Sequence, residues 1–375
     1  MTSATRLEPA DARPGCETVS PACSSRLEAR AGALERMPTW LICIPLAMQW
    51  LWLAFRYRSA SLPSVANPEI TAGGLVGEGK LEYFHGMGAS ARAATANTLA
   101  IEADFRRSLA DILRSMDDTG LAFPVIAKPN LGLCGFGVRL ISDPDELNAY
   151  CAAFPRGEVI VLQEYLPAEG EAGIFYARHP GAEAGRIIGM ALRYFPRVTG
   201  DGVSTVAQLV RADRRARRLL GSPRHEPPKD LDRVPPDGRV VRLATIGSTR
   251  VGGMYRDGSR HISPGLSERI DAIARALPHF YFGRFDVRFA TLDALSASAE
   301  FKIIEINGAG SEAIHAWDPD LSLLAAFRII FAKQRLLFAI SASNRGQGRR
   351  PIGIVQLARF HFRQRRLIKR YPPSN

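Results

Sequence analysis

The sequence predicts an α+β fold built from several packed units, and three observations lead to this prediction. Its 375 residues are enough for about two or three domains of ordinary size. Hydrophobic residues make up 46% and charged residues 23%, a globular balance that excludes a collagen-like, a wholly disordered or a polytopic membrane protein. Short apolar runs typical of strands lie between helical patterns, and many of these strands can pair antiparallel.

The N-terminal part is predicted to hold a leader and a helical or mixed domain. Residues 1–36 mix Pro, Ser, Ala and balanced charges without periodicity, which is typical of a disordered leader. Residues 37–55 carry no charge, form the most apolar stretch of the chain and are followed at once by Arg56 and Arg58. Two interpretations stay open for this stretch: a helix that anchors the protein to a membrane or lies on it, or a buried helix of the domain at 37–116.

Strand and helix patterns continue from there to residue 340. An Ala-rich helix at about 91–116 closes the N-terminal domain, and Asp143 with Pro144 behind it starts another helix. Further predicted helices lie at 204–220, 267–277 and 321–340, and predicted strands at 124–128, 138–141, 159–165, 172–177, 187–194, 240–246, 284–291 and 301–306. Residues 221–238, rich in Pro and charge, are predicted to be a loop or lid.

The net charge of +12 is concentrated near the C-terminus. Residues 341–375 form a predicted basic tail, in which positions 345–375 hold nine Lys and Arg and no acid. Such a tail either contacts an anionic lipid surface or is a solvated, partly helical terminus. No nucleic-acid-binding motif accompanies it, so no nucleic acid is expected as a partner.

The cysteines indicate the redox compartment. Five of them are scattered along the chain, with no CxxC pair and no paired histidine spacing. This pattern excludes a disulfide scaffold and a structural zinc site, and it favours a reducing compartment. We therefore expect a cytoplasmic protein, associated with the inner face of a membrane if residues 37–55 and the basic tail reach one.

The first motif with chemical meaning is a lysine followed by a glycine-rich loop. Lys128 ends an apolar run, where its charge is costly to bury without an anion, and a phosphate would supply one. Gly132, Gly135 and Gly137 allow backbone N–H groups to approach phosphate oxygens closely. The loop is neither a Walker loop nor a dinucleotide-binding fingerprint, because no GKS or GKT follows and the glycines lead into a strand.

The second motif is a set of oxygen donors on two strands. Asp286 alternates with aromatic residues, so it lies on the opposite face of its strand, while Glu305 and Asn307 share one face of theirs. Two carboxylates and an amide carbonyl suit Mg²⁺, whose remaining ligands are water and substrate phosphates.

The third motif, Gln163-Glu164-Tyr165 with Glu171 seven residues after Glu164, follows a buried strand, where it could contact an adenine edge and ribose hydroxyls.

Taken in order, these motifs resemble the ATP-grasp superfamily, in particular its carboxylate-amine ligase branch around D-alanine:D-alanine ligase and cyanophycin synthetase. The resemblance extends over residues 123–319. It also includes Gly200-Asp201-Gly202 before Ser204, and Gly283-Arg284-Phe285-Asp286. The resemblance implies an ATP-grasp fold, with ATP between two α+β subdomains. We place the first at 117–200 and the second, with the metal site, at 201–340.

The resemblance also implies roles for the residues. Lys128 would hold the α- and β-phosphates under the loop Gly132–Gly137, Gln163-Glu164-Tyr165 and Glu171 would hold adenine and ribose, and Asp286, Glu305 and Asn307 would hold two Mg²⁺ ions. Arg284 would stabilise charge beside the γ-phosphate. The expected reaction is transfer of the γ-phosphoryl group to a small-molecule carboxylate, followed by attack of an amine on the acyl phosphate. The alternatives are phosphorylation of a small-molecule hydroxyl, or a membrane-surface binding module with a degenerate nucleotide site.

The sequence departs from the family at several positions. The second phosphate lysine has no obvious counterpart, and Arg193 or Arg197 is the substitute we assign. The loop Gly308–His315 differs from the substrate loop of D-alanine:D-alanine ligases, so a dipeptide is not the expected product.

His315 itself is interpreted as either a packed histidine or a catalytic base. The glycine-rich segment 66–80 is interpreted as either a substrate loop or a flexible connector, and we favour the first because Asn67, Glu78 and Lys80 are polar. Arg242 and Arg250 are either ligands of a substrate carboxylate or part of a solvated strand face.

Overall fold

Two antiparallel sheets organise the chain in the computed structural model, which describes residues 31–103, 108–297 and 300–375. The first sheet has four strands in the order β1-β4-β2-β3, and the second has five in the order β11-β10-β5-β6-β9. A separate pair, β7-β8, adds a short ribbon. Every neighbouring pair of strands is antiparallel, so the predicted α+β class is confirmed.

The strands are β1 (Thr98–Glu102), β2 (Val125–Pro129), β3 (Arg139–Ile141), β4 (Val159–Glu164), β5 (Gly170–Ala177), β6 (Arg186–Tyr194), β7 (Arg197–Thr199), β8 (Val240–Arg242), β9 (Met254–Asp257), β10 (Phe282–Phe289) and β11 (Phe301–Asn307). The α-helices are α1 (Ala33–Arg36), α2 (Thr39–Arg56), α3 (Ala89–Ala93), α4 (Leu109–Asp118), α5 (Pro144–Ala153), α6 (Val206–Ala212), α7 (Arg217–Leu220), α8 (Pro264–Arg275), α9 (Leu292–Ser296), α10 (Leu323–Gly346) and α11 (Ile354–Ile368). Short 3₁₀ helices lie at Leu62–Val65, Thr71–Gly74, Lys80–Phe84, Thr249–Val251, Ser259–His261 and Ile314–Trp317.

Each sheet packs one face on helices. In the first unit, which consists of the first sheet and its helices, α4 and α5 cover the sheet. Their starts are fixed by Ser108 and Asp143, whose side chains accept hydrogen bonds from the backbone N–H groups of Asp111 and Glu146. In the second unit α8 packs Ile270 against the apolar face of the sheet. The other face of β10 carries charged residues, and these point toward the first unit.

The sheets divide the chain differently from the predicted domain boundaries. β1 and α4 lie within the predicted N-terminal domain of residues 37–116, at least in part, yet β1 pairs with β4 along its whole length. β5 and β6 precede the predicted boundary at residue 200 but lie in the second sheet. The chain therefore passes from the first sheet to the second between Glu164 and Gly170. The apolar pattern of a strand does not reveal which sheet the strand joins, so the observed division of the chain differs from the predicted one.

Residues 33–36 of the predicted leader and the predicted basic tail both form helices that pack on the rest of the protein. Of the predicted leader, residues 1–30 lie outside the described residues, but α1 buries Leu34 and its Glu35 binds Arg215 through both carboxylate oxygens. The predicted basic tail at 341–375 completes α10 and then forms α11. Leu367 and Tyr371 of this segment are buried in the core of the first unit, so it is packed and not a free tail.

Two predicted helices are interrupted. The stretch at 91–116 contains the short α3, then β1, and only then α4, because residues 98–102 pair with β4. The stretch at 204–220 is capped by Thr205 and not by Ser204, and it breaks into α6 and α7. In both cases a local helical pattern is overridden by contacts with distant parts of the chain.

The apolar helix α2 lies on the surface of the protein. It is long and apolar enough to cross a membrane, judged by length and composition alone, and only 11% of its residues are buried. Ile42 and Leu53 are the buried members, and both face α10. The interpretation of this segment as a buried helix is therefore wrong.

Candidate functional site

A cavity of about 340 Å³ lies where the two sheets meet. The ends of β2 and β4, the glycine loop, residues 75–80 and the charged face of β10 and β11 line it. The cavity brings together nearly all of the predicted site residues: Lys128, Gly132, Gly135, Gln163, Glu164, Tyr165, Glu171, Arg193, Arg284, Glu305 and Asn307. The other two, Gly137 and Asp286, do not line it, but Asp286 is bound by Arg284 and Arg193, which do.

Lys128 joins the two sheets at the centre of this cavity. Its ammonium group donates to Gln163 Oε1 and to the backbone oxygen of Ile304 in β11, both at 2.8 Å. Gln163 Nε2 donates to the same backbone oxygen at 3.1 Å. Burial lowers the pKa of Lys128 to about 8, against the opposing effect of Glu305. A buried ammonium group with two neutral acceptors as its hydrogen-bond partners is well prepared to accept an anion.

The glycine loop connects β2 to β3, so it leads into a strand, as the sequence indicates. Gly135 has a φ of +72°, and a Cβ there would lie 3.0 Å from Ile246. Gly137 has a φ of +75°, and a Cβ there would lie 2.8 Å from Pro129. Both positions therefore require glycine for the turn and for the close packing beneath it.

An ion-pair network covers the charged face of the second sheet. Asp286 is fully buried, and Arg284 binds both of its oxygens, through Nε at 2.6 Å and Nη2 at 2.9 Å. Arg193 lies 3.0 Å from Asp286 and 2.9 Å from Glu171, and Arg288 lies 3.2 Å from Glu171. Glu171, for which a ribose contact is predicted, and Arg193 and Arg284, for which phosphate contacts are predicted, are thus already paired within this network.

The predicted metal ligands are neighbours across two strands. Asp286 is opposite Glu305, and Asn307 donates its amide nitrogen to Asp286 at 3.2 Å, which leaves the amide oxygen available. Burial alone would raise the pKa of Glu305, but the ammonium groups of Lys80 and Lys128 outweigh it and hold this pKa well below its usual range.

This donor set fits Mg²⁺ in part. Among the described residues no group of three or more His, Cys, Asp and Glu side chains is placed to hold a metal. The hard oxygens of Glu305 and Asn307 suit Mg²⁺, which needs only one or two protein carboxylates when phosphates complete its coordination. Asp286 fits less well, because guanidinium groups occupy both of its oxygens.

Lys80 is a residue of the cavity that no motif in the sequence predicted. Its ammonium group pairs with Glu305 at 3.1 Å, and a Cβ on Gly132 would lie 2.9 Å from it. Asn130 holds the segment in place, because its backbone oxygen and its side-chain oxygen accept from the N–H groups of Lys80 and Leu81, each at 3.0 Å. Lys80 is therefore a second lysine beside the glycine loop, where the sequence offered Arg193 or Arg197 as a substitute. The polar character of residues 66–80 was its only signal.

The C-terminal segment also reaches the glycine loop. Gln364 of α11 lines the cavity and donates to the backbone oxygen of Gly132 at 3.1 Å. Tyr371 donates its hydroxyl to the backbone oxygen of Leu131 at 2.7 Å. No sequence signal links residues so far apart, and the high positive charge of this segment indicated a tail that contacts anionic lipid or is solvated.

Other polar residues singled out in the sequence have structural partners. Asn67 is buried and binds the backbone of Gly73, Tyr281 and Phe282. His315 is packed against Phe175, and burial lowers its pKa to about 4, which favours a packed histidine over a base. Arg242 donates to the backbone oxygens of Ala244 and Thr245.

Arg250 also departs from the two roles considered for it. Its guanidinium group lies over the ring of Phe136 in the glycine loop, 4.1 Å from the ring centroid. It also donates to the hydroxyl groups of Ser222 and Ser374. Arg250 therefore supports the loop from outside the cavity, and it is not on a solvated strand face.

The chain is similar in structure to several solved ligases and synthetases. A bifunctional glutathione synthetase from Pasteurella multocida matches 68% of this chain and 35% of its own, at 17% identity and a TM-score of 0.34. A D-alanine–D-alanine ligase from Bacillus anthracis matches 72% of this chain and 68% of its own, at 15% identity and a TM-score of 0.37.

A D-cycloserine synthetase also resembles the chain, at 14% identity and a TM-score of 0.35, over 69% of this chain and 70% of its own. The chain spans about a third of the length of the glutathione synthetase. No family model matches the sequence, and no curated protein matches it. At identities and TM-scores this low, no activity, substrate or cofactor follows from the resemblance to D-alanine–D-alanine ligase.

Proposed function

We propose that this protein is an ATP-dependent ligase that joins a small-molecule carboxylate to an amine. The observation that carries the proposal is the pair of lysines, Lys80 and Lys128, whose ammonium groups lie beside a glycine loop in a cavity between two antiparallel sheets. Two ammonium groups next to backbone N–H groups are suited to a polyphosphate. The order of motifs along residues 123–319 supports ATP as the source of that polyphosphate.

In the proposed reaction the chain's residues mainly bind and orient. Lys128 and Lys80 neutralise the phosphates, the glycine loop covers them, and Glu164 and Tyr165, which line the cavity, contact the adenine. Arg284 stabilises the negative charge that develops as the carboxylate oxygen attacks the γ-phosphorus and ADP leaves. The amine then attacks the acyl carbon, a C–N bond forms, the C–O bond to phosphate breaks, and phosphate and a proton are released.

Glu305 and Asn307, with Asp286 behind them, are the residues that would hold Mg²⁺. When bound, Mg²⁺ would neutralise charge on the β- and γ-phosphates. The pairing of Lys80 with Glu305 keeps this carboxylate ionised, and Glu305 would receive a cation once Lys80 turns toward the phosphates.

The test is Mg²⁺-dependent ADP release by the full chain, with and without a mixed pool of amino acids and small peptides. We expect ADP to appear only with the pool, to be matched by an equal amount of free phosphate, and to stop when EDTA removes Mg²⁺. ADP without free phosphate, together with a phosphorylated product, would instead identify a kinase. Absence of ATP binding in all conditions would contradict the proposal.

The pKa of Lys128 predicts how ATP affinity depends on pH. Because its pKa is about 8 in the free protein, Lys128 is protonated below pH 8 and loses its charge above it. We therefore expect the Kd for ATP to be constant below pH 8 and to rise above it, by at most about tenfold per pH unit. Titrations between pH 7 and 9.5 measure this. Lys128→Arg is the control, because arginine stays charged throughout; the same rise in that variant would contradict the assignment.

A further inference from the structure

The outer face of α2 is a continuous apolar surface. The large residues on it follow one another at spacings of one, three or four positions that keep them on one side of the helix: Trp40, Leu41, Ile44, Met48, Leu51, Trp52 and Phe55. Exposed fractions reach 85% at Phe55 and 67% at Leu51. A soluble protein gains nothing by presenting seven large apolar side chains together to water, so this face is expected to contact a partner.

The inner face of the same helix is held to the protein. Ile42 and Leu53 are buried against α10, and Gln49 donates to the backbone oxygen of Phe331 at 2.8 Å. These contacts are spread over three turns of α2. The helix could not cross a bilayer without losing them, so any membrane contact has to be made with the helix lying along the surface.

Positive charge lies at the C-terminal end of this face. Residues 321–375, which include α10, hold twelve Lys and Arg and no acid, and the rest of the chain has 37 of each sign. The net charge of the chain is therefore carried by this segment, of which α10 packs on α2 while α11 packs in the core of the first sheet. Arg56 and Arg58 are exposed at the C-terminal end of α2, and Arg345 donates to the backbone oxygen of Tyr57 there.

We propose that α2 docks the protein on an anionic lipid bilayer. The helix lies in the plane of the membrane, with its apolar face at the boundary of the acyl chains and with Arg56 and Arg58 at the level of the lipid phosphates. Trp40 and Trp52, near the two ends of the face, take the position at which indole rings favour the membrane interface. This inference does not depend on the proposed ligase activity.

A second copy of the chain suits this face less well. No Asp or Glu occurs between residues 36 and 68, so in a contact between two copies through α2 this segment brings no acid to pair with the arginines of the other copy. An anionic bilayer offers both an apolar interior and negative charge at its edge. The charge pattern therefore favours lipid over a dimer.

The experiment is co-sedimentation of the full chain with two kinds of vesicle. One contains equal amounts of phosphatidylglycerol and phosphatidylcholine, and the other contains phosphatidylcholine alone. We expect binding to the first, weakened by high salt, and much weaker binding to the second. The double variant Leu51→Gln, Phe55→Gln should lower the partition coefficient about tenfold or more. Both residues are exposed, so the circular dichroism spectrum and Tm should not change.

The matched control is Val203→Gln, which removes an apolar side chain that is 81% exposed but lies far along the chain from α2. This variant should bind anionic vesicles as the unchanged protein does. The proposal is overturned if the unchanged protein does not bind anionic vesicles, or if the double variant binds them equally well. It is also overturned if sedimentation velocity finds a dimer that the double variant dissociates, because the face would then be covered by a second copy.

Discussion

Replacing Lys128 by alanine is expected to lower ATP turnover by about 100-fold or more. The substitution removes one of the two ammonium groups beside the glycine loop, and it also releases the contacts of Lys128 with Gln163 and with β11. The fold should survive, because alanine is compatible with a buried strand position and leaves no charge behind. ADP release at saturating ATP, together with Kd for ATP, measures the effect.

Lys369→Ala is the matched control for this variant. It removes the same charge from an exposed position at the end of α11, and its turnover should stay within about twofold of the unchanged protein. Equal turnover in Lys128→Ala and Lys369→Ala would mean that Lys128 has no part in binding phosphate.

Replacing Asp286 by asparagine is expected to lower the stability of the fold by about 3 kcal/mol, beyond any effect on turnover. The side chain is fully buried and neutralises both Arg284 and Arg193. Asparagine has nearly the same shape, but it leaves these two guanidinium groups without their shared counterion. A shift of the urea midpoint, followed by circular dichroism, measures the loss.

Asp118→Asn is the control for that measurement, because Asp118 is exposed at the end of α4 and its loss should change stability by about 0.5 kcal/mol or less. If Asp286→Asn lost turnover but kept the urea midpoint of the unchanged protein, Asp286 would serve the ligand and not the fold. Glu305→Gln offers the opposite case, since the Glu305 side chain is partly exposed in the cavity and should affect turnover more than stability.

The local parts of the fold were predictable from the sequence. β2, β4, β5, β6, β10 and β11 are apolar runs of strand length, and Asp143 with Pro144 marks the start of α5 through short-range hydrogen bonding. Strand alternation depends only on position along the chain, and it predicts which face of its own strand Asp286 or Glu305 occupies. These features need no knowledge of distant residues.

The remaining features depend on contacts between distant residues. β1 lies in an Ala-rich stretch with a helical pattern and becomes a strand only because β4 offers it an edge. Lys80 reaches Glu305 because Asn130 fixes the backbone of its segment. Leu367 is buried within a helix whose many arginines indicated a solvated tail. No local pattern encodes which partner each of these residues meets.

The contact of Tyr371 with Leu131 joins residues 240 positions apart and closes the packing beneath the glycine loop. During synthesis, the first sheet emerges from the ribosome long before the residues that complete its core. A nascent chain that has reached residue 340 already contains every predicted ligand of the nucleotide, yet α11 is still missing. The packing beneath the glycine loop is therefore completed only in the last stage of translation.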